Sequence, residues 1–270
     1  MATRHYHNHY RFSYPTSFKR HFTSLLIVLS SIVLIILFSI QFAFTQKTIN
    51  LNEISAGTIL LAAYNTILRL TFAYLFSLVI AVPVSLFITK SERLERIFLP
   101  IADIIQSIPV LAFFPVIVLA FIKVGSLNGA AIFILFTSMV WNIVFSVIGG
   151  IKTIPQDIKD ASFIFGAKGF KKIIFVTLPS VFPSIVTGSF LAWAQGWNIS
   201  IVAEALHAFI PNGNKSNDLF GLGSLLVNSF AQSQNSIFIA TLIAMVVVIT
   251  VLNFFVWQKL LKLAERYKFD

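Results

Sequence analysis

The sequence predicts an all-α polytopic membrane protein with six transmembrane helices. Composition is the first reason: of 270 residues, 57% are hydrophobic and only 11% are charged, against about 25% charged in a typical soluble domain. The second is length: several uninterrupted apolar runs exceed the roughly 18 residues that mark a membrane-crossing helix. The third is the one-sided placement of the basic residues, which sets orientation. The chain has no cysteine, which excludes disulfides and thiol catalysis.

Residues 1–21 form a basic tail with Arg4, Arg11, Lys19 and Arg20. His5-x-His7-x-His9 is a spacing that can hold a metal ion. No acid or cysteine accompanies it, so a loose terminus is the simpler reading. The first helix is 22–44, about 34 Å at 1.5 Å per residue, enough to span. Ala43-Phe44-Thr45 is a poor cleavage site, which favours an uncleaved anchor.

After a polar loop at 45–57, the second helix runs over 58–89 and is interrupted by Arg69. That side chain either snorkels to the outer interface or faces the solute as a cation. Lys90 to Arg96 reads as a charged turn. The third helix, 101–122, is broken by Pro109 and Pro115, each of which removes a backbone donor. The fourth, 129–150, carries Trp141 and Asn142.

A polar island, 151–183, follows. The fifth helix, 184–208, is rich in small and polar residues, among them Thr187, Gly188, Gln195, Gly196, Asn198, Ser200 and Glu204. Small residues let helices approach closely, and polar ones at membrane depth need partners or water. Residues 209–236 form a long loop rich in Asn, Gly and Ser. The sixth helix is 237–257. A six-helix domain, 22–257, is thus flanked by basic tails at 1–21 and 258–270.

Alternating sides along this path puts sixteen Lys and Arg on one face, in the two tails, the 90–96 turn and the island. Three lie on the other: Lys47, Lys123 and Lys215. The positive-inside rule then makes both termini and the island cytoplasmic. Charge at the hydrocarbon centre costs roughly 3 kcal/mol per residue on insertion scales, so the island lies outside the bilayer. It still has helical periodicity in two short runs. Ile158, Ala161, Ile164 and Phe165 mark about 155–165, and Phe170, Ile173, Ile174 and Leu178 mark about 169–177. Gly166 and Gly169 permit a tight turn between them. Pro179 and Pro183 end the second run before the next apolar segment.

Within the island, Asp160-Ala161-Ser162, three residues, Gly166, nine residues and Val176-Thr177-Leu178-Pro179 follow one fixed spacing. The pattern resembles the EAA loop of bacterial ABC-importer permeases, written E-A-A-x3-G-x9-I-x-L-P, with mild exchanges of Asp for Glu, Ser for Ala and Val for Ile. Thr66-Ile67-Leu68-Arg69 with Ala73, Ala81 and Pro83 is similar to that family as well. Gln106-Ser107-Ile108-Pro109 through Phe121 and Gly125 resembles its nitrate/sulfonate/taurine branch. Trp197 to Glu204, and the stretch from Gly221-Leu222-Gly223 to Leu263-Ala264-Glu265, are similar to the duplicated anion-permease relatives of that branch. The resemblance covers about residues 57–268.

It implies a type I ABC-importer permease (MetI-like) fold, with Asp160, Ala161, Ser162, Gly166, Ala167, Leu178 and Pro179 presented to a cytoplasmic ABC ATPase. It implies a second permease copy or a sister subunit, and an extracytoplasmic solute-binding protein that meets the 209–236 loop. The chain has no G-x4-G-K-[ST], so ATP and Mg are expected on the partner, with no cofactor in this chain and no enzymatic activity of its own. The net charge of +10 reflects topology rather than nucleic-acid binding.

Arg69, Gln106, Asn142, Gln195, Asn198, Ser200 and Glu204 are the expected translocation path. Glu204 can also be read as an acid solvated at the outer mouth, and Trp193 and Trp197 as core or interface-belt residues. The expected solute is a small anion such as nitrate, a sulfonate or taurine. Arg69 suits an anion and Glu204 does not. The competing reading is a secondary transporter or channel with no ATPase, which leaves the island's spacing unexplained.

Overall fold

The computed structural model of the chain describes residues 55–210, 213 and 217–268. The expected first helix, 22–44, the basic tail and the His5–His9 pattern lie outside the described residues. Every regular element among those described is helical: α1 (Ala56–Ile88), α2 (Glu92–Ser107), α3 (Val110–Lys123), α4 (Leu127–Lys152), α5 (Gln156–Ile164), α6 (Gly169–Glu204), α7 (Leu222–Ala231) and α8 (Asn235–Tyr267). By length and hydropathy α1, α4, α6 and α8 are able to cross a membrane, and α2 with α3 makes a fifth span if the bent pair is counted as one.

α4 is the centre of the bundle, packed against α1, α3 and α6. On α1 the residues that meet it recur every four positions and are small: Ala73, Ser77, Ala81 and Ser85, all buried. That stripe is what lets two apolar helices approach closely where lipid gives no hydrophobic drive. Ser77 and Ser85 bury their hydroxyls by donating to the Ala73 and Ala81 carbonyls at 2.8 and 2.7 Å. On the other side Gly188 of α6 lies against Ser146 and the Asn142 carbonyl, where a Cβ would stand 2.7 and 3.0 Å away.

The sequence reading needs correction in five places. The charged stretch Lys90 to Arg96 is not a turn throughout, because α2 already starts at Glu92. Glu92 and Glu95 fall in its first turn, where carboxylates favour a helix N-terminus. The third helix breaks at Ile108–Pro109 and not at Pro115, giving an 82° bend. Ile108 and Pro109 are both extended, with ψ of 122° and 123°, as the residue before a proline prefers. Pro115 lies inside α3 without ending it.

Pro179 and Pro183 do not end the second island run either. Helix α6 continues from Gly169 to Glu204 through a π turn at Ile173–Thr177. There the Leu178 N–H reaches back to the Ile173 carbonyl. Ser180 Oγ donates to the Val176 carbonyl at 2.7 Å and Thr187 Oγ1 to the Pro183 carbonyl at 2.9 Å. Both are i to i−4 side-chain back-bonds within the continuing helix. Finally, the 209–236 loop contains a helix, α7. The sixth helix also runs on past residue 257 to Tyr267, through a second π turn at Asn253–Trp257.

Two contacts fix how α2 and α3 run. Glu95 is ion-paired with Lys152, the last residue of α4. Phe114 stacks on Phe209, just past the opposite, Glu204 end of α6, with ring centroids 4.4 Å apart. α4 is about 39 Å long at 1.5 Å per residue, so the chain must climb most of the bundle between residues 95 and 114. α2 therefore runs along the bundle, and the bend turns α3 across its far end.

Candidate functional site

Two places gather the residues that the sequence singles out. At the Glu204 end, three helices meet in a buried polar cluster. Arg69 is 9% exposed and Glu204 only 1%, so neither snorkelling nor a solvated mouth describes them. Arg69 Nη1 donates to Glu204 Oε1 at 2.6 Å, Nε to Asn128 Oδ1 at 2.9 Å and Nη2 to the Phe220 carbonyl at 3.0 Å. The guanidinium thus joins α1, α4, α6 and the segment leading into α7.

The same cluster holds the start of α7. Its leading N–H groups have no intrahelical acceptor, and side chains supply them. Gly221 N donates to Ser224 Oγ at 3.2 Å, Leu222 N to Thr66 Oγ1 at 2.9 Å and Gly223 N to Glu204 Oε2 at 2.8 Å. A carboxylate at a helix N-terminus is favoured by the helix dipole as well. Close approach requires glycine here: a Cβ on Gly223 would lie 2.6 Å from the Ser200 carbonyl and 2.7 Å from Ile201 Cα. Asp218 ties in the neighbouring segment. It accepts from the His207 N–H at 2.9 Å, stands 2.8 Å from His207 Nδ1 and accepts from Asn228 Nδ2 at 2.8 Å.

The expected path residues therefore separate. Arg69, Ser200 and Glu204 are buried, the first and last in one cluster, while Ser200 Oγ donates to the Trp197 carbonyl at 2.8 Å. Asn142 is half-buried. Gln195 and Asn198 are exposed on a face of α6 shared with Thr187 and Leu191, and Gln106 is exposed near the end of α2. Trp193 and Trp197 pack inward. Trp193 joins Tyr74 and Trp257 with ring centroids about 6 Å apart, and Trp197 is buried.

At the other end lies the island. α5 stops at Phe165, and Gly166 follows with φ of +71°. Ala167 N donates to the Ser162 carbonyl and Gly166 N to the Phe163 carbonyl, at 2.9 and 3.0 Å. That is a Schellman closure, which places glycine at the left-handed position. Asp160 is exposed and accepts from Gln156 Nε2 at 2.9 Å. Ser162 is buried, and Ala161 and Ala167 are half-buried. Phe163, Ile164 and Phe165 face outward, Phe165 at 87% exposure. Between α5 and the base of α6 is a cleft of about 320 Å³ lined by Ile158, Ala161, Ser162, Phe165, Phe175 and Pro179 among others. Leu178 and Pro179 are half-buried in the same wall.

A set of apolar helices long enough to cross a bilayer, with a compact polar hairpin between two of them, defines a multi-pass membrane protein. The family model for the binding-protein-dependent transport system inner membrane component matches residues 81–258, and the chain belongs to that family. It is 28% identical over 210 residues to an ABC transporter permease protein of Methanocaldococcus jannaschii, covering 73% of this chain and 74% of that one. It is 26% identical over 156 residues to the nitrate import permease protein of Leptolyngbya laminosa, covering 58% of this chain and 55% of that one. It is also 26% identical over 140 residues to the taurine transport system permease protein of Escherichia coli, covering 52% and 50%. The chain spans about half the length of the nitrate and taurine relatives. As for this family, it is an integral inner-membrane protein of the nitrate/taurine branch of ABC-importer permeases.

Proposed function

We propose that the chain is the membrane subunit of an ATP-driven importer, pairing with a second permease copy or a sister subunit. The observation that carries this is the island. A nine-residue amphipathic helix, closed by Gly166, exposes Phe163, Ile164 and Phe165 beside a cleft. Exposed apolar patches rimmed by polar residues mark protein interfaces. The face carries Lys168, Lys171 and Lys172, which the positive-inside rule puts in the cytoplasm together with both termini. An ATPase there binds ATP and Mg and moves the island against the bundle, a two-state device biased from a distant site.

The path follows exposed polar faces, with Gln106, Gln195 and Asn198 on them and Asn142 behind. A solute-binding protein delivers at the 209–236 end. The names of the relatives, one for nitrate and one for taurine, support a small anion or zwitterion. Arg69, the cation that would suit an anion, is already engaged with Glu204, so that solute reading rests on those names.

Purification of the tagged chain in mild detergent, with ATPase assayed on the eluate, tests the class. A co-purifying nucleotide-hydrolysing subunit that is lost on Gly166→Val is the expected result. A chain that moves solute with no ATPase bound overturns the proposal in favour of a secondary transporter.

A further inference from the structure

Between its two charged ends the described bundle carries three Asp, Glu, Lys or Arg side chains: Arg69, Glu204 and Asp103. The first two neutralise one another. Asp103 lies on α2, eight residues beyond the Glu95 that is paired with Lys152, so it stands about 12 Å up the bundle from that end. It is exposed, and so are Gln106 and Ser107, which flank it on one face of the helix. Leu94, Ile97, Ile101, Ile104 and Ile105 occupy the other face.

Gln106 Nε2 donates to Asp103 Oδ1 at 3.1 Å, and Ser107 Oγ donates to the Asp103 carbonyl at 2.7 Å. Oδ2 has no donor among the described residues. A carboxylate at this depth against lipid is strongly disfavoured, and such residues face water-filled paths. The helix then breaks at Ile108–Pro109, and irregular backbone at membrane depth is tolerated where it lines a cavity.

We propose that Asp103, with Gln106 and Ser107, is the charge-selecting station of the path, and that the solute it admits carries a cationic group such as an ammonium, alone or in a zwitterion. This rests on the permease reading and sharpens its solute class. A path whose unpaired charge is negative concentrates cations and repels simple anions. Taurine, with its ammonium, meets the requirement; nitrate does not.

The absence of native cysteine makes the test direct. Ser107→Cys, and separately Gln106→Cys, is introduced into the full chain with its ATPase. Each is treated with a cationic and an anionic methanethiosulfonate, rates being normalised to a free thiol. The cationic reagent should react about tenfold faster, and Asp103→Asn in the same background should bring the ratio close to one. Inert thiols at both positions, equal rates, or a ratio unmoved by Asp103→Asn overturn the proposal. ATPase co-purification is scored in the same samples. Its loss in the parent chain would refute the importer reading, whereas inert thiols in an assembled complex refute only the station.

Discussion

Glu204 and Arg69 make the sharpest residue-scale prediction. Removing one member of a buried ion pair leaves the other uncompensated, at about 3–5 kcal/mol. Glu204→Ala also strips an acceptor from Gly223 N and from Thr66 Oγ1. Its thermal unfolding midpoint in detergent should fall well below that of the parent. The double variant Arg69→Met, Glu204→Leu should recover part of the loss, because no lone charge remains. Both residues stand out in the sequence as polar groups in apolar runs. The pairing does not, since 135 positions separate them and only the fold brings α1 against the end of α6. Asp103 escaped notice for a related reason. It is one acid in a run dominated by two prolines, and its depth follows only once Glu95 is seen on Lys152.

At the scale of elements, boundaries were the least legible part. α4 was readable to within two residues, because its apolar run is long and its ends carry polar residues. α7 was hidden in an Asn, Gly and Ser-rich stretch, since its first turn is completed by Thr66 and Glu204 from other helices. The α2–α3 bend gives a second prediction. Pro109→Ala restores a donor and relieves the extended preference of Ile108. Spin labels at residues 97 and 119 should then move apart as the 82° angle opens, and uptake should fall. The island gives a third. Gly166→Val forces a β-branched residue to φ of +71°, at about 1–2 kcal/mol. Because the strain lies in an exposed loop, membrane insertion should survive, as checked by membrane fractionation.

For the whole molecule, the folded arrangement separates two tasks. The Arg69–Glu204 cluster ties α1, α4, α6 and the start of α7 together at one end of the bundle, while the island offers open apolar surface at the other. Orientation is tested by labelling single cysteines. Phe170→Cys should react with a membrane-impermeant maleimide only in permeabilised cells, and Leu60→Cys in intact ones. The all-helical membrane class was legible because composition and run length agreed independently, whereas the count of six rests on the 22–44 run, which lies outside the described residues. The partner surface proposed on the island rests on its spacing, since nothing in the periodicity of α5 says what its exposed phenylalanines meet.

The two π turns have a consequence for how this chain tolerates changes in length. A π turn closes its hydrogen-bonded ring over one more residue than an α turn. Each of Ile173–Thr177 and Asn253–Trp257 therefore holds a residue that ordinary winding would not need. Deleting one residue there lets the segment relax to regular α-helix, with the faces on either side still in register. The same deletion a turn away would swing everything beyond it by about 100°, carrying Trp193 or Trp257 off its seam. These two segments are where a natural or engineered single-residue deletion should be accepted, which makes them the places to shorten the protein.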